Sequence, residues 1–366
     1  MWLIIFAVSI LAGIAAILYL SEKIRTSGLL SGIGNAASAR VISVLVVVAL
    51  AVIICLVFDV TNAIVIFVHL AVFELLADII RIIFRKLSPW DIDPRIYSIA
   101  ALALCVIYLC IGWHMMHGLW ETDYKVSSDK ECGNIRVALI ADSHVGTGFS
   151  GKEFADHLKK IEEAKPDLLV IAGDFVDDST KLSDMKDACA ALSSVKLPYG
   201  IYYCFGNHDR GYYSNERRGY DGDGLAAELS RSGVTVLKDQ SVLVDGRFYV
   251  IGREDAGYGN SDRMSAAELM APLDKDKYTI MLDHQPVDYD LEAAAGLDLV
   301  LSGHTHGGQL WPLEYIQPLI SENDNVRGYE RRGGTDFIVT DGISDWAVKF
   351  KTGCRSEFCI IDISGR

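Results

Sequence analysis

Residues 135–144 read IRVALIADSH, an aliphatic run that ends in a polar Asp-Ser-His group. A short aliphatic run of this kind predicts a strand over 135–141 that is buried on both faces. Similar runs predict strands at 167–172, 199–205, 247–252, 278–283, 298–302, 336–340 and 357–362. Helical patterns lie at 151–164 and 182–195. Strands that alternate with helices are typical of the α/β fold class.

Five of these strands are followed directly by polar groups that are rich in metal-ligand residue types. The groups are Asp142-Ser143-His144, Gly173-Asp174-Phe175-Val176-Asp177, Gly206-Asn207-His208-Asp209, Asp283-His284 and Gly303-His304-Thr305-His306. Of the histidines after residue 120, only His157 lies outside them. Ligands bind at the carboxyl ends of strands in α/β sheets, so we expect the groups to converge. Imidazoles, carboxylates and an amide oxygen suit a site for two divalent cations.

Each group taken alone has a simpler explanation. Asp142 and Asp174 could be helix N-caps, and Gly206-Asn207 could mark a turn. His284 could be a hydrogen-bonded surface histidine. For Asp177 and Asp209 a solvated loop position is equally reasonable, and Asp283 is better explained as a neighbour of the site than as a ligand. The occurrence of all five groups in one chain therefore carries the metal-site hypothesis.

In this order, the five groups resemble the calcineurin-like metallophosphoesterase superfamily, whose pattern runs D-x-H, G-D-x-x-D, G-N-H-D/E, a lone H and G-H-x-H. No ligand position is substituted, and the resemblance covers roughly residues 134–366. The extended form from Gly303 to Gln309, GHTHGGQ, resembles the bacterial membrane-tethered branch. The resemblance implies a metallophosphoesterase β-sandwich flanked by helices on both faces. The strand pattern alone does not separate that fold from a doubly wound sheet.

The resemblance also implies a role for each residue. Asp142, His144 and His306 would bind a first metal ion, Asp174 would bridge, and a second ion would be bound by Asn207, His284 and His304. The catalytic residues would be His208, as general acid or charge stabiliser, and Asp177, as the carboxylate that orients it. Manganese, iron, zinc and cobalt all suit these nitrogen and oxygen ligands. Candidate substrate-binding residues are Arg210 and Arg327, since arginine binds phosphate in a bidentate manner.

The first 117 residues predict a multi-pass transmembrane region. Long apolar runs indicate about four helices, at 2–20, 41–58, 62–80 and 97–117. A linker at 118–133 would lead to the catalytic domain at 134–366. Two carboxylates, Glu74 and Asp78, lie one turn apart in the third run, and pairing of Asp78 with the arginines that follow it is the simple explanation for that residue.

The basic residues predict an orientation. They follow the first and third runs, at Lys23, Arg25, Arg40, Arg81, Arg85, Lys86 and Arg95. Because positively charged loops stay in the cytoplasm, the N-terminus and the catalytic domain are expected on the outer side of the cell membrane.

Charge and cysteine content exclude other classes of protein. After residue 120 the chain carries 27 basic and 42 acidic side chains, so a broad nucleic-acid surface is not expected. The eight cysteines show no C-x-x-C spacing, which argues against a zinc ribbon or a thioredoxin-like site. The sequence does not decide whether Cys354 and Cys359 form a disulfide.

The sequence thus predicts a membrane-anchored dinuclear-metal phosphoesterase that hydrolyses a phosphodiester or pyrophosphate bond, such as that of a lipid or envelope precursor. Its expected partners are a phosphoester substrate and the lipid bilayer, and the oligomeric state is left open. One alternative is the same chemistry on soluble phosphoesters, with the membrane region as a tether. The other is a membrane sensor or scaffold with a structural metal site.

Overall fold

The computed structural model describes residues 2–90, 92–211, 218–257 and 263–366, and the chain forms two compact units, Met1–Gly112 and Trp113–Arg366. The first unit is helical. Its helices are α1 (Trp2–Thr26), α2 (Ala36–Val57), α3 (Val60–Leu87) and α4 (Pro94–His117), of which the last continues into the second unit. Within the described residues, these four helices are the ones long and apolar enough to cross a membrane, and each overlaps one of the four predicted spans.

A polar cluster joins α1, α3 and α4 inside the first unit. The ammonium group of Lys23 lies 2.8 Å from Asp78 and 3.1 Å from Glu74. Tyr19 donates a hydrogen bond to Asp78, and Ser98 donates one to Glu74. Asp78 therefore pairs directly with a lysine from another helix. Pairing lowers the cost of placing these carboxylates in an apolar helical unit.

The second unit is built from two six-stranded sheets. Its strands are β1 (Trp120–Ser127), β2 (Asn134–Ile140), β3 (Leu168–Ala172), β4 (Ile201–Cys204), β5 (Val234–Val236), β6 (Gln240–Val244), β7 (Phe248–Gly252), β8 (Tyr278–Leu282), β9 (Leu299–Ser302), β10 (Gly328–Arg332), β11 (Thr335–Val339) and β12 (Glu357–Ser364). The first sheet has the order β1-β12-β2-β3-β4-β5, and the second has the order β10-β11-β9-β8-β7-β6. All eight strands predicted from aliphatic runs are present.

Helices cover the outer faces of the two sheets. They are α5 (Phe154–Glu163), α6 (Leu182–Ser194), α7 (Gly222–Arg231), α8 (Ala266–Met270) and α9 (Tyr289–Ala295). A further helix, α10 (Leu313–Ile320), has no buried residue. Helix α5 forms because Phe154, Leu158 and Ile161 recur at helical spacing and are all buried. Both predicted helices, α5 and α6, are confirmed.

Alternation along each strand divides its side chains between two cores. On β2, Val137 and Leu139 face the second sheet, whereas Ala138 and Ile140 pack with the helices that cover the first. The second sheet also has its own outer core, in which Met281 packs with residues of α8 and α9. The four layers confirm the predicted β-sandwich flanked by helices and exclude a single doubly wound sheet.

The stretch expected to be a linker contains β1, which pairs in parallel with β12 along its whole length. Inward-facing Thr122, Tyr124 and Val126 alternate there with Glu121 and exposed neighbours. Such alternation is typical of a half-buried edge strand, and it is a weaker signal than a continuous aliphatic run. The compact unit accordingly begins at Trp113, and residues 120–127 are part of its first sheet.

None of the cysteines forms a disulfide. All eight are free thiols, so the bridge between Cys354 and Cys359 that the sequence left open is not formed. Both side chains are buried; the Cys354 thiol donates to the carbonyl of His306 over 3.1 Å.

Candidate metal centre

The polar groups meet because they follow neighbouring strands of the two facing sheets. Asp142 comes just after β2, Asp174 after β3 and Asn207 after β4, all in the first sheet. His284 and His304 follow β8 and β9 in the second. The carboxyl ends of parallel strands share one edge of a sheet, so the fold places these loops together.

Three sets of donor atoms result, and within each set the atoms lie within 4.8 Å of one another. Two of them consist of suggested metal ligands alone, Asp142, His144 and His306 in one and Asp174, His284 and His304 in the other, whereas the third joins His144 to Asp177 and His208. The first two sets are adjacent, because the His304 amide donates to both carboxylate oxygens of Asp142 over 3.0 Å. The Asn207 amide oxygen lies 2.9 Å from His304 Nδ1 and 3.2 Å from His284 Nε2. The structure thus brings together all seven residues that the sequence suggested as metal ligands.

His144 tests whether the arrangement suits a cation. Its side chain is fully buried, and neither ring nitrogen has a hydrogen-bond partner among the described residues. A buried polar atom without a partner costs about 1–3 kcal/mol, so such atoms call for an explanation. A bound cation supplies one, and the surrounding nitrogen and oxygen donors are of the type that borderline transition metals bind. The residues present therefore fit two divalent ions.

The protonation states also suit metal binding. Burial lowers the pKa of His144 to about 4 and that of His304 to about 3, so both imidazoles are neutral at pH 7 and can bind a cation. Burial raises the pKa of Asp174, but His284 and other imidazoles outweigh it and hold that pKa well below the usual range. Burial lowers the pKa of His284. The Asp174 carboxylate, 3.1 Å away, and neighbouring carboxylates outweigh this effect and hold that pKa well above its ordinary value. A cation would have to displace that proton.

Backbone strain is concentrated in the same loops. Positive φ angles are found at Asp142 (54°), His144 (38°), Asp174 (50°), His304 (70°) and His306 (50°). Non-glycine residues rarely adopt this left-handed region, and such residues cluster at functional sites. The geometry that aims these side chains at one point is therefore held at a cost in conformational energy.

Glycines precede several ligand candidates because there is no room for a side chain. A Cβ on Gly303 would lie 2.5 Å from a carboxylate oxygen of Asp142. A Cβ on Gly206 would overlap the carboxylate and amide of Asp174. The spacing of the two loops thus requires glycine at these positions.

His208 lies beside the donor sets and is paired with acids. Its Nδ1 is 3.2 Å from Asp177 Oδ1 and 3.7 Å from Asp178 Oδ2, and its ring is 5.0 Å from that of His144. Burial lowers the pKa of His208, but Asp174 and Asp177 raise it, to about 11 in balance. At neutral pH this imidazole is a cation that can donate a proton.

Asp209 has a structural role that the sequence left undecided. It is fully buried and accepts hydrogen bonds from the amides of Asp174 and Gly206, both over 2.8 Å, and from that of Val176 over 3.0 Å. One carboxylate therefore joins the loops after β3 and β4. Asp209, Asp142 and Asp174 do not cap helices. The burial of Asp209 also excludes a solvated position for that residue.

Two further buried residues of the site come from the loop after β11. Asp345 Oδ1 lies 3.6 Å from His306 Nδ1, and burial raises its pKa to about 7. The ammonium group of Lys351 donates to the carbonyl of Asp341 over 2.6 Å and is fully buried. The sequence could have indicated Asp345, because it is an acidic residue that follows the predicted strand at 336–340. No feature of the sequence indicated Lys351.

The charged residues suggested for substrate binding are engaged by the protein. Arg210 forms a 2.5 Å ion pair with Glu254, and Arg327 lies 2.6 Å from Asp341. Their contact with substrate stays a prediction. Asp283 is buried between two arginines, 3.0 Å from Arg253, which agrees with its expected place next to the ligands.

Comparison with known proteins agrees with this site. The sequence model of the calcineurin-like phosphoesterase family matches residues 135–308. A metallophosphoesterase of Aquifex aeolicus is 30% identical over 251 residues, and the match covers 66% of this chain and 91% of that protein. A relative from Caenorhabditis elegans is 29% identical over 338 residues, covering 81% of this chain but 65% of its own length. The phosphodiesterase YaeI of Escherichia coli is 28% identical over 238 residues, covering 62% and 82% of the two chains.

The family match, the Aquifex relative and the converging ligand-type side chains lead to one conclusion. This chain belongs to the calcineurin-like phosphoesterase family, a family of metal-dependent phosphoester hydrolases.

Proposed function

We propose that this chain is a membrane-anchored phosphoesterase that uses two divalent cations to hydrolyse a phosphodiester or pyrophosphate bond. The observation that carries the proposal is the buried pair of donor sets with the His208–Asp177 pair beside it. The four apolar helices support the membrane anchor. The relative named as a phosphodiesterase supports a diester over a monoester.

We assign seven residues to the cations. Asp142, His144 and His306 would hold one ion, and Asn207, His284 and His304 the other, with Asp174 between the sets. When bound, such ions lower the pKa of a shared water and stabilise charge on the phosphoryl oxygens.

We assign proton donation to His208. Water adds its oxygen to phosphorus and releases a proton, the bond to the leaving-group oxygen breaks, and that oxygen takes a proton from His208, which the released proton replaces at the end of the cycle. Asp177 engages Nδ1 of the imidazole, so Nε2 is the nitrogen assigned to donate. The carboxylate keeps the ring protonated and oriented. A structural metal site has no need of such an acid, which disfavours the sensor or scaffold alternative.

Hydrolysis of bis-para-nitrophenyl phosphate tests the assignment. The full chain is assayed with added manganese and compared with His208→Ala, and metal content is measured on the same samples. We expect turnover to fall by about 10²- to 10⁴-fold, the usual range for a positioned acid, with a much smaller loss of metal. His157→Ala, which changes a histidine on α5 away from the site, serves as the control. Unchanged turnover in the His208 variant would remove that residue from the mechanism.

The substrate class is proposed from the membrane region. A chain fixed in the bilayer meets phosphoesters of lipid headgroups or lipid-linked envelope precursors. The test is a parallel screen of lipids in mixed micelles and of soluble nucleotides, with the metal content of the same sample. Cleavage restricted to the soluble compounds would leave the membrane region as a tether and would refute the lipid substrate.

We propose that the catalytic unit lies outside the cytoplasm. Lys23 at the end of α1 pairs with Asp78 in the last part of α3, which supports one common side for the two basic segments. Positive segments stay in the cytoplasm. A reporter fused near residue 130 that reads as cytoplasmic would overturn this orientation.

A further inference from the structure

Helix α10 exposes an unusual amount of apolar surface. None of its residues is buried, and large apolar side chains here are between 39% and 82% exposed. These are Trp311, Leu313, Tyr315, Ile316, Leu319 and Ile320. Elsewhere in the described part of the second unit such residues are scattered singly along the chain. A contiguous exposed apolar patch marks a contact surface.

The orientation of α10 is the reverse of that of an ordinary surface helix. At 100° per residue, its five large apolar residues fall in an arc of about 160°, with Glu314, Gln317 and Pro318 in the opposite arc. The polar arc is the one that faces the protein. Glu314 accepts a hydrogen bond from Arg327 over 3.3 Å, and a Cβ on Gly308 would lie 2.7 Å from the Glu314 backbone. A helix packed on a soluble core turns its apolar side inward.

We propose that the outward arc of α10 is a membrane-docking surface that lies in the interfacial layer of the bilayer. The described residues include four helices apolar enough to span a membrane, and two residues separate the last of these four from β1. The covalent connection thus keeps the second unit close to lipid. Trp311 and Tyr315 have the amphipathic rings that are enriched at membrane–water interfaces.

The charge of residues 311–320 indicates which interaction with lipid would dominate. Residues 311–320 contain no lysine or arginine, and the single acid, Glu314, is paired with Arg327. Attraction to anionic headgroups therefore contributes little, and burial of apolar side chains supplies the binding. Docking should accordingly occur on neutral lipid and be insensitive to salt.

The outward surface of α10 lies close in sequence to the candidate metal centre, so its docking would affect how substrate reaches that centre. Four residues separate Gly308, the end of the His306–Gly308 turn, from the first residue of α10. A docked α10 would hold the candidate metal centre at the level of lipid headgroups, where a lipid phosphoester is presented. This consequence rests on the proposed phosphoesterase function, whereas the docking itself does not.

Photochemical labelling tests the docking. The full chain is placed in phosphatidylcholine nanodiscs whose lipid carries a diazirine in the acyl chain, and adducts are mapped by mass spectrometry. We expect adducts on residues 311–320 at low and high salt, and none near Leu291, an isolated residue that is 64% exposed on α9. Absence of adducts on 311–320 in protein that labels on its apolar helices would overturn the proposal. Cross-links from α10 to a second copy of the chain would overturn it as well.

Paired variants separate docking from chemistry. Leu319→Asp should lose most α10 adducts and cleave lipid-presented substrate several-fold more slowly, while it hydrolyses bis-para-nitrophenyl phosphate at the normal rate. Leu291→Asp should match the wild type in all three measurements. Normal α10 adducts in a Leu319→Asp protein would refute the docking surface. If the wild-type chain forms adducts on α10 but cleaves no phosphoester, the proposed function is refuted and the docking surface is still supported.

Discussion

Replacing Asp177 by asparagine should change the pH dependence of hydrolysis. Asp177 Oδ1 lies 3.2 Å from His208 Nδ1, and both side chains are at most 15% exposed. An opposite charge at this distance shifts a pKa by about 1–3 units, or about 1.4–4 kcal/mol. Burial lowers the pKa of His208 while Asp174 and Asp177 raise it to about 11, so loss of one of these carboxylates should bring that pKa to about 8–10.

The sign of the change follows from the role of the imidazole. The protonated ring is the active form, and it is lost as pH rises through its pKa. A lower pKa therefore moves the alkaline limb of activity to lower pH. The assay is kcat/KM for bis-para-nitrophenyl phosphate between pH 6 and 10.5 at saturating metal, which reports groups of the free enzyme.

Asp178→Asn is the matched control, because its oxygen is farther from the same nitrogen, at 3.7 Å. It should shift the alkaline limb less. If the Asp177→Asn profile superimposes on that of the wild type while metal content is unchanged, Asp177 does not set the proton affinity of His208, and the proposed pairing is refuted.

Three other substitutions test the surroundings of the site. Asp345→Asn should weaken cation binding about 10- to 100-fold, as measured by competition with a chromophoric chelator, because the carboxylate lies 3.6 Å behind His306. Gly206→Ala should place a methyl group against Asp174 at a cost of about 1–3 kcal/mol, so that metal content measured by mass spectrometry falls sharply in folded protein. Arg327→Ala should lower the free energy of unfolding by about 1–3 kcal/mol in denaturant titration, because it removes hydrogen bonds to Gly353 and Asp341. It should also raise KM, as the predicted substrate contact requires, and an unchanged KM would refute that contact.

The Asp345 experiment has a control in the same unit. Asp336 is also a buried carboxylate, but it binds Tyr329 and Arg331 rather than a metal-ligand candidate. Asp336→Asn should leave cation affinity at the wild-type value. Equal losses in both variants would mean that the effect is general destabilisation.

The strands that could be predicted are those buried on both faces. The run at 135–141 is continuous and aliphatic, and the structure places its two faces in two different cores. Strand β1 was missed because its charged residues alternate with inward-facing ones. Helix α10 was missed because it has only eight residues and contains Pro318, which disfavours a helical interpretation even though the apolar residues lie on one side.

The site could be predicted where ligand types repeat after strands. His144 and His304 belong to such groups, and the order of the groups carried the resemblance. Asp209 was undecided, since a loop acid that accepts three backbone hydrogen bonds looks the same in sequence as a solvated one. Lys351 could not be predicted, because its partners are carbonyl groups set by the loop after β11.

Strand β12 has a consequence for biosynthesis. Residues 357–364 insert between β1 and β2, whose own residues precede them by more than two hundred positions. Until residues 357–364 have been synthesised, β2 therefore lacks one of its two neighbours, and the loop that carries Asp142 extends from an incomplete sheet. A chain truncated just before residue 357 would accordingly keep all seven candidate ligands but would leave β2, and with it the Asp142 loop, at an unpaired sheet edge.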